Sequence, residues 1–190
     1  SDPSIYQFYY GGAGAANTVS AGSANDPLDH PDTSGVAGPA IGHTVHFAKD
    51  YYIANGQLLS PRKILIVPNA YGGTRVLNTG FPGWGVNPGR GGSPAVGSLV
   101  TDLVTRANLA KALSGTNTIV ALDWHQGEGD IAGYATLQRT QIRKYRWALM
   151  STMKYLRAQI GGNFPIVMGR MSNWTINTGD GVNYIPANTK

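Results

Sequence analysis

The chain has no cysteine. Disulfides, thiol nucleophiles and thiolate metal sites are therefore excluded, although the compartment is left open. Charge is scarce. Asp, Glu, Lys and Arg make up 13% of the 190 residues, about half of the ~25% usual for globular chains. That excludes a disordered tail, a coiled coil and a charged linker. Long apolar runs are missing as well. A stretch such as Ile64 to Pro68 is far shorter than the ~20 residues that span a bilayer, so no membrane partner is expected. One sign of charge is absent locally. No acidic residue occurs from Ile131 to Gly179, a segment that holds Arg139, Arg143, Lys144, Arg146, Lys154, Arg157 and Arg170, within a net charge of +5. A solvated helix face accounts for this, and so does a patch for an anionic polymer. Aromatics are not interleaved with these cations in an RNA-binding pattern, so no nucleic-acid partner is expected.

What is present points to one globular domain. Hydrophobic residues make up 42% of the chain, enough at this length for a sizeable core. Glycine accounts for 26 residues, about twice the usual ~7%, which suits tight loops. The first 35 residues read as loop, because Gly, Asp and Pro cluster there. Then Ile41, Val45, Ala48 and Tyr52 recur at helical spacing, with Gly56 past the expected end. Lys63 to Pro68 is a short β-branched run that reads as a buried strand. Leu99, Leu103, Ala107, Ala110 and Leu113 form a second helical stripe, stopped by Gly115. Thr118 to Leu122 is a second strand, Tyr134 to Ile160 a long third helix ended by Gly161 and Gly162, and Pro165 to Met168 a third strand. Strands alternating with helices predict an α/β fold, a three-layer α/β/α sandwich with a mostly parallel sheet. In such a sheet ligands sit beyond the carboxyl ends of the strands.

The chemistry-bearing residues lie at those ends. After the first strand comes Asn69-Ala70-Tyr71-Gly72-Gly73-Thr74, where glycines let backbone N–H groups approach a ligand. Taken alone, this segment is better explained by a plain Gly-rich turn. After the second strand comes Asp123-Trp124-His125-Gln126-Gly127-Glu128-Gly129-Asp130. Gln126 can donate an N–H to a developing negative charge, and Glu128 can support a histidine. Alternatively, Glu128 and Asp130 merely favour the first turn of a helix, and Trp124 and His125 pack beneath the loop. Trp84, Trp124 and Trp174 can stack on sugar rings, and His125 and Asp130 complete the expected binding wall.

Together these segments resemble the SGNH hydrolase superfamily, in particular the sialate O-acetylesterase-like carbohydrate esterases, including domains carried on phage tail proteins. Ile66 to Thr74 is similar to that family's strand and Gly-Gly-Thr loop. Leu122 to Asp130 is similar to its Trp-x-Gln-Gly-Glu-x-Asp block, and Asp26 to Pro31 with Val36 to Phe47 to the stretch before its first helix. The likeness runs from about Ile5 to Met171. It implies an SGNH (flavodoxin-like) domain and hydrolysis of O-acetyl esters on a poly- or oligosaccharide by a serine nucleophile. A backbone N–H of Gly72 or Gly73 and the Gln126 amide would form the oxyanion hole, and Glu128 would support the histidine. No cofactor and no metal are implied. A secreted or virion-associated setting is implied, with a homotrimer if the chain belongs to a phage tail.

The chain departs from the family in two places. The nucleophile's Gly-x-Ser is not found, and Ala95 replaces the last glycine of a Gly-x-Ser-x-Gly around Ser93. The histidines are His30, His43, His46 and His125, and none stands in the family's C-terminal position. The expectation is a single domain over 1–190, incomplete at both ends, that supplies the oxyanion side of the site. A glycan-binding or structural domain without turnover is the alternative. His43 and His46 share a helix face with Asp50 one turn on, but no zinc-protease pattern is present, and ordinary packing is the expected role.

Overall fold

Ile5-Tyr6-Gln7-Phe8-Tyr9-Tyr10 is rich in the aromatic and β-branched residues that suit a pleated surface, and it forms strand β1 (Ile5–Tyr10). The computed structural model describes residues 4–10, 19–24, 43–59, 61–80, 82–87, 95–131 and 139–169. Chain contacts divide it into two units, Ser1–Gly72 with Asp102–Ile119 and Gly73–Thr101 with Val120–Lys190.

In the first unit β1 pairs antiparallel with β2 (Val19–Ser23) and parallel with β3 (Ile64–Ile66). Two strands thus stand where the opening 35 residues were expected to be loop. The local turn residues of that region hid a hairpin whose stability comes from pairing. Helix α1 (His43–Leu59) lies against β1 and β3. Val45 and Ala48 are buried with Ile5, Ala24 and Ile66 in one cluster, while His43, His46 and Asp50 are exposed. The helix runs past Gly56, whose missing side chain faces open space, so nothing forces it to end there. Helix α2 (Ser98–Ala112) contributes its residues from Asp102 onward to this unit. There Leu103, Ala107 and Ala110 are buried. Gly115, at φ 69°, follows the helix end. Arg106 is also buried. Its Nε donates to Asp102 Oδ2 at 2.9 Å and its Nη1 to the Pro68 carbonyl at 3.4 Å.

In the second unit β4 (Val86–Asn87) pairs antiparallel with β5 (Ala95–Val96), and β6 (Leu122–Trp124) pairs parallel with β7 (Ile166–Met168). The strand expected at 118–122 is displaced toward the C-terminus, so Asp123 and Trp124 lie within it. Between them, α3 (Glu128–Ile131) is a single turn, and α4 (Arg139–Ile160) packs on β4. Thr152, Met153, Leu156 and Ile160 form the buried face of α4. Gly161 and Gly162, at φ 80° and 99°, terminate it.

The described residues are therefore mixed α/β, with three small sheets. The parallel pairs expected of a layered sandwich are present at β1–β3 and β6–β7. They do not join into one mostly parallel sheet among the described residues, and two of the pairings are antiparallel. No described helix is long and apolar enough to cross a membrane.

Candidate active site

The densest polar cluster of the second unit forms where the loop after Gly73 meets the segment after β6. Gly73 has φ 68°, a left-handed conformation open to glycine and costly to other residues. It and Gly72 sit exposed in a turn. The chain then dives inward. Thr74 is buried, and its Oγ1 accepts the Trp84 indole N–H at 2.8 Å. Val76 is fully buried.

Asp130 holds this loop in place. It is only 4% exposed. Its Oδ2 accepts the Val76 N–H at 2.8 Å and its Oδ1 the Leu77 N–H at 2.9 Å. A third donor is Gln126, whose Nε2 reaches Oδ2 at 2.8 Å. The same Nε2 donates to the Thr74 carbonyl at 2.9 Å. Three N–H donors satisfy this carboxyl group in its buried place. Gly129 makes the close approach possible, because a Cβ there would fall on the Thr74 carbonyl oxygen. Short α3 sets the spacing, with the Asp130 N–H bonded to the Gly127 carbonyl at 3.1 Å. The Tyr145 hydroxyl of α4 donates to the Gln126 carbonyl at 3.1 Å. Beside the clamp lies a depression of about 500 Å³ lined by Gly73, Arg75, Leu77, Asn78, Pro82 and Asp130.

The expected site residues fare differently. Gln126, Asp130 and Gly73 come together. Both amide hydrogens of Gln126 are held by protein acceptors, so donation to an oxyanion requires one of those bonds to be exchanged. Trp84 and Trp124, expected against a sugar, are buried and meet edge to face at 5.1 Å. The Trp84 carbonyl accepts the Thr152 hydroxyl at 2.9 Å. His125 is exposed, beside Gly169. Glu128 opens α3, while its side chain, Trp174 and His30 lie outside the described residues. Among the described residues no group of three or more His, Asp or Glu could hold a metal ion. The partners of Asp130 at Val76 and Leu77 are backbone N–H groups. Backbone donors leave no trace in residue identity.

The family model for carbohydrate esterase, sialic acid-specific acetylesterase, matches residues 15–188. The chain belongs to this family of carbohydrate esterases. No curated protein and no solved structure shows a significant match to it.

Proposed function

We propose that the protein removes O-acetyl groups from a poly- or oligosaccharide, and that this chain supplies the oxyanion side of a serine-type site. In this reading a serine attacks the acetyl carbonyl. The sugar hydroxyl leaves with a proton, and water releases acetate from the acyl-enzyme. No residue of this chain is assigned as the serine or as its histidine base. The negative oxygen of the tetrahedral intermediate is met by the N–H of Gly73 or Gly72. The Gln126 amide adds a donor by releasing the Thr74 carbonyl as that charge forms. Glu128 supports the base. A secreted or virion-associated setting goes with this reading, as does a homotrimer in a phage tail.

The observation that supports it is the clamp of Asp130 on Val76 and Leu77, which fixes the loop next to Gly73. A donor fixed before reaction is worth about 3–4 kcal/mol of transition-state stabilisation. The test is acetate release from an O-acetylated polysaccharide. In the complete protein, Gln126→Ala is expected to lower kcat by about 10²–10³ with KM little changed. An unchanged kcat removes Gln126 from the oxyanion hole.

One observation favours a second reading, a glycan-binding domain without turnover. The two hydrogens of the Gln126 amide are already spent within the fold. Treatment with a serine-reactive fluorophosphonate separates the two. A single adduct with acetate release supports the esterase and places the nucleophile in this chain. Glycan binding with neither adduct nor release, in this chain and in the complete protein alike, supports the binding domain.

A further inference from the structure

Helix α4 has two faces of opposite character. Thr152, Met153, Leu156 and Ile160 are buried on one, and Tyr145 reaches from α4 to the Gln126 carbonyl. On the other, Arg143, Arg146, Trp147, Met150 and Lys154 recur at i, i+3, i+4, i+7 and i+11, a single stripe of an α-helix. All five are exposed. Trp147 is 71% exposed and Met150 50%. From Arg143 to Lys154 the stripe is about 17 Å long at ~1.5 Å per residue.

Little in this stripe serves the helix itself. Its first turn carries Arg139 and no acid, the reverse of what the helix dipole favours. No acidic residue occurs anywhere in α4, so no i,i+4 pair offsets the repulsion among its cations. Arg157, further along, is engaged. Its Nη2 donates to the Phe164 carbonyl at 3.0 Å and its guanidinium lies 5.9 Å from the Phe164 ring centre. Arg143, Arg146 and Lys154 have no ion pair or hydrogen bond among the described residues. An indole left largely in water between unpaired cations is a surface for a partner that is both anionic and flat-faced.

We propose that this stripe binds a carboxylate-bearing polysaccharide strand. The Trp147 indole stacks on the apolar face of one sugar ring, and Arg143, Arg146 and Lys154 pair with carboxylates along the strand. The choice of a polysaccharide over a nucleic acid rests on the esterase reading above; the charge and the exposed indole do not. The surface holds the polymer by the outside of the helix whose inner side touches the Gln126 loop.

The test is affinity electrophoresis of the full chain in gels containing polygalacturonate, neutral dextran or single-stranded oligothymidylate. Retardation is expected with polygalacturonate and not with dextran, weakening about tenfold between roughly 50 and 200 mM salt. Trp147→Ala and the double variant Arg143→Ser/Arg146→Ser are each expected to lower affinity about tenfold, with circular dichroism and Tm unchanged. Hydrolysis of 4-nitrophenyl acetate is read in parallel. Turnover without polygalacturonate binding overturns this proposal and leaves the esterase reading standing. Wild-type binding that is lost in both variants supports the stripe, whether or not this chain turns over the ester. Preference for oligothymidylate, or binding indifferent to both variants, overturns the proposal.

Discussion

Among the described residues each unit buries one ionisable side chain, and the two are stabilised in different ways. Arg106 in the first unit is paired within its own helix to Asp102, with the Pro68 carbonyl as a second acceptor. Asp130 in the second has no cation partner among the described residues. It is satisfied by two consecutive backbone amides and one side-chain amide, from residues as far as 54 positions away. The first arrangement is an ordinary helix pair turned inward, and it fastens α2 to the end of the β3 segment. The second fastens a loop that has little regular structure of its own. An ion pair can be replaced by a well-packed apolar pair. A carboxylate that satisfies backbone N–H groups cannot, since those donors stay behind when it is removed. The charge that no apolar pair can replace is the one next to Gly73.

The largest expected effect breaks the second arrangement. Asp130→Ala leaves the Val76 and Leu77 amides and the Gln126 amide without their acceptor in a buried place. A loss of about 3–5 kcal/mol is expected in urea unfolding. Asp102→Ala should cost less, about 2 kcal/mol, because Asp102 is partly exposed and Arg106 keeps the Pro68 carbonyl. Equal losses for the two variants would erase the distinction between them. Gly73→Ala tests the turn beside the clamp. At φ 68° with open space around it, the cost is backbone strain alone, about 1–2 kcal/mol, read as a lower urea midpoint with an unchanged slope. Trp147→Ala is the smallest, within about 0.5 kcal/mol, since its side chain is mostly in water. A larger loss there would mean that the indole is part of the core.

Much of this was legible in the sequence where pattern and outcome depend on neighbours along the chain. The apolar spacing of Leu99 to Leu113 and of Tyr134 to Ile160 corresponds to helices Ser98–Ala112 and Arg139–Ile160, Tyr134 lying outside the described residues, and glycines 115, 161 and 162 follow their ends. Strand β3 fell inside the run read as buried. The resemblance carried by Leu122 to Asp130 and Ile66 to Thr74 is to the family whose model the chain matches. What was not legible depends on partners far away in sequence. The β1–β2 hairpin was hidden behind Gly and Pro on either side. The burial of Trp84 against Trp124 joins positions 40 residues apart, and the same two indoles at the surface would have read identically. Asp130 was visible, but its partners Val76 and Leu77 act through the backbone. The short β4 and β5 strands carry too few residues to show an alternation.

The central claim is that the acid ending the second motif holds the loop that follows Gly73. Amide hydrogen exchange at Val76 and Leu77 tests it directly, in the wild-type protein and in Asp130→Asn, which keeps the shape and loses the charge and one acceptor. Protection is expected at both amides in the wild type, and exchange at least about 100-fold faster at one or both in the variant, with Leu156 and its neighbours in α4 unchanged. Equal exchange at Val76 and Leu77 in the two proteins would contradict it.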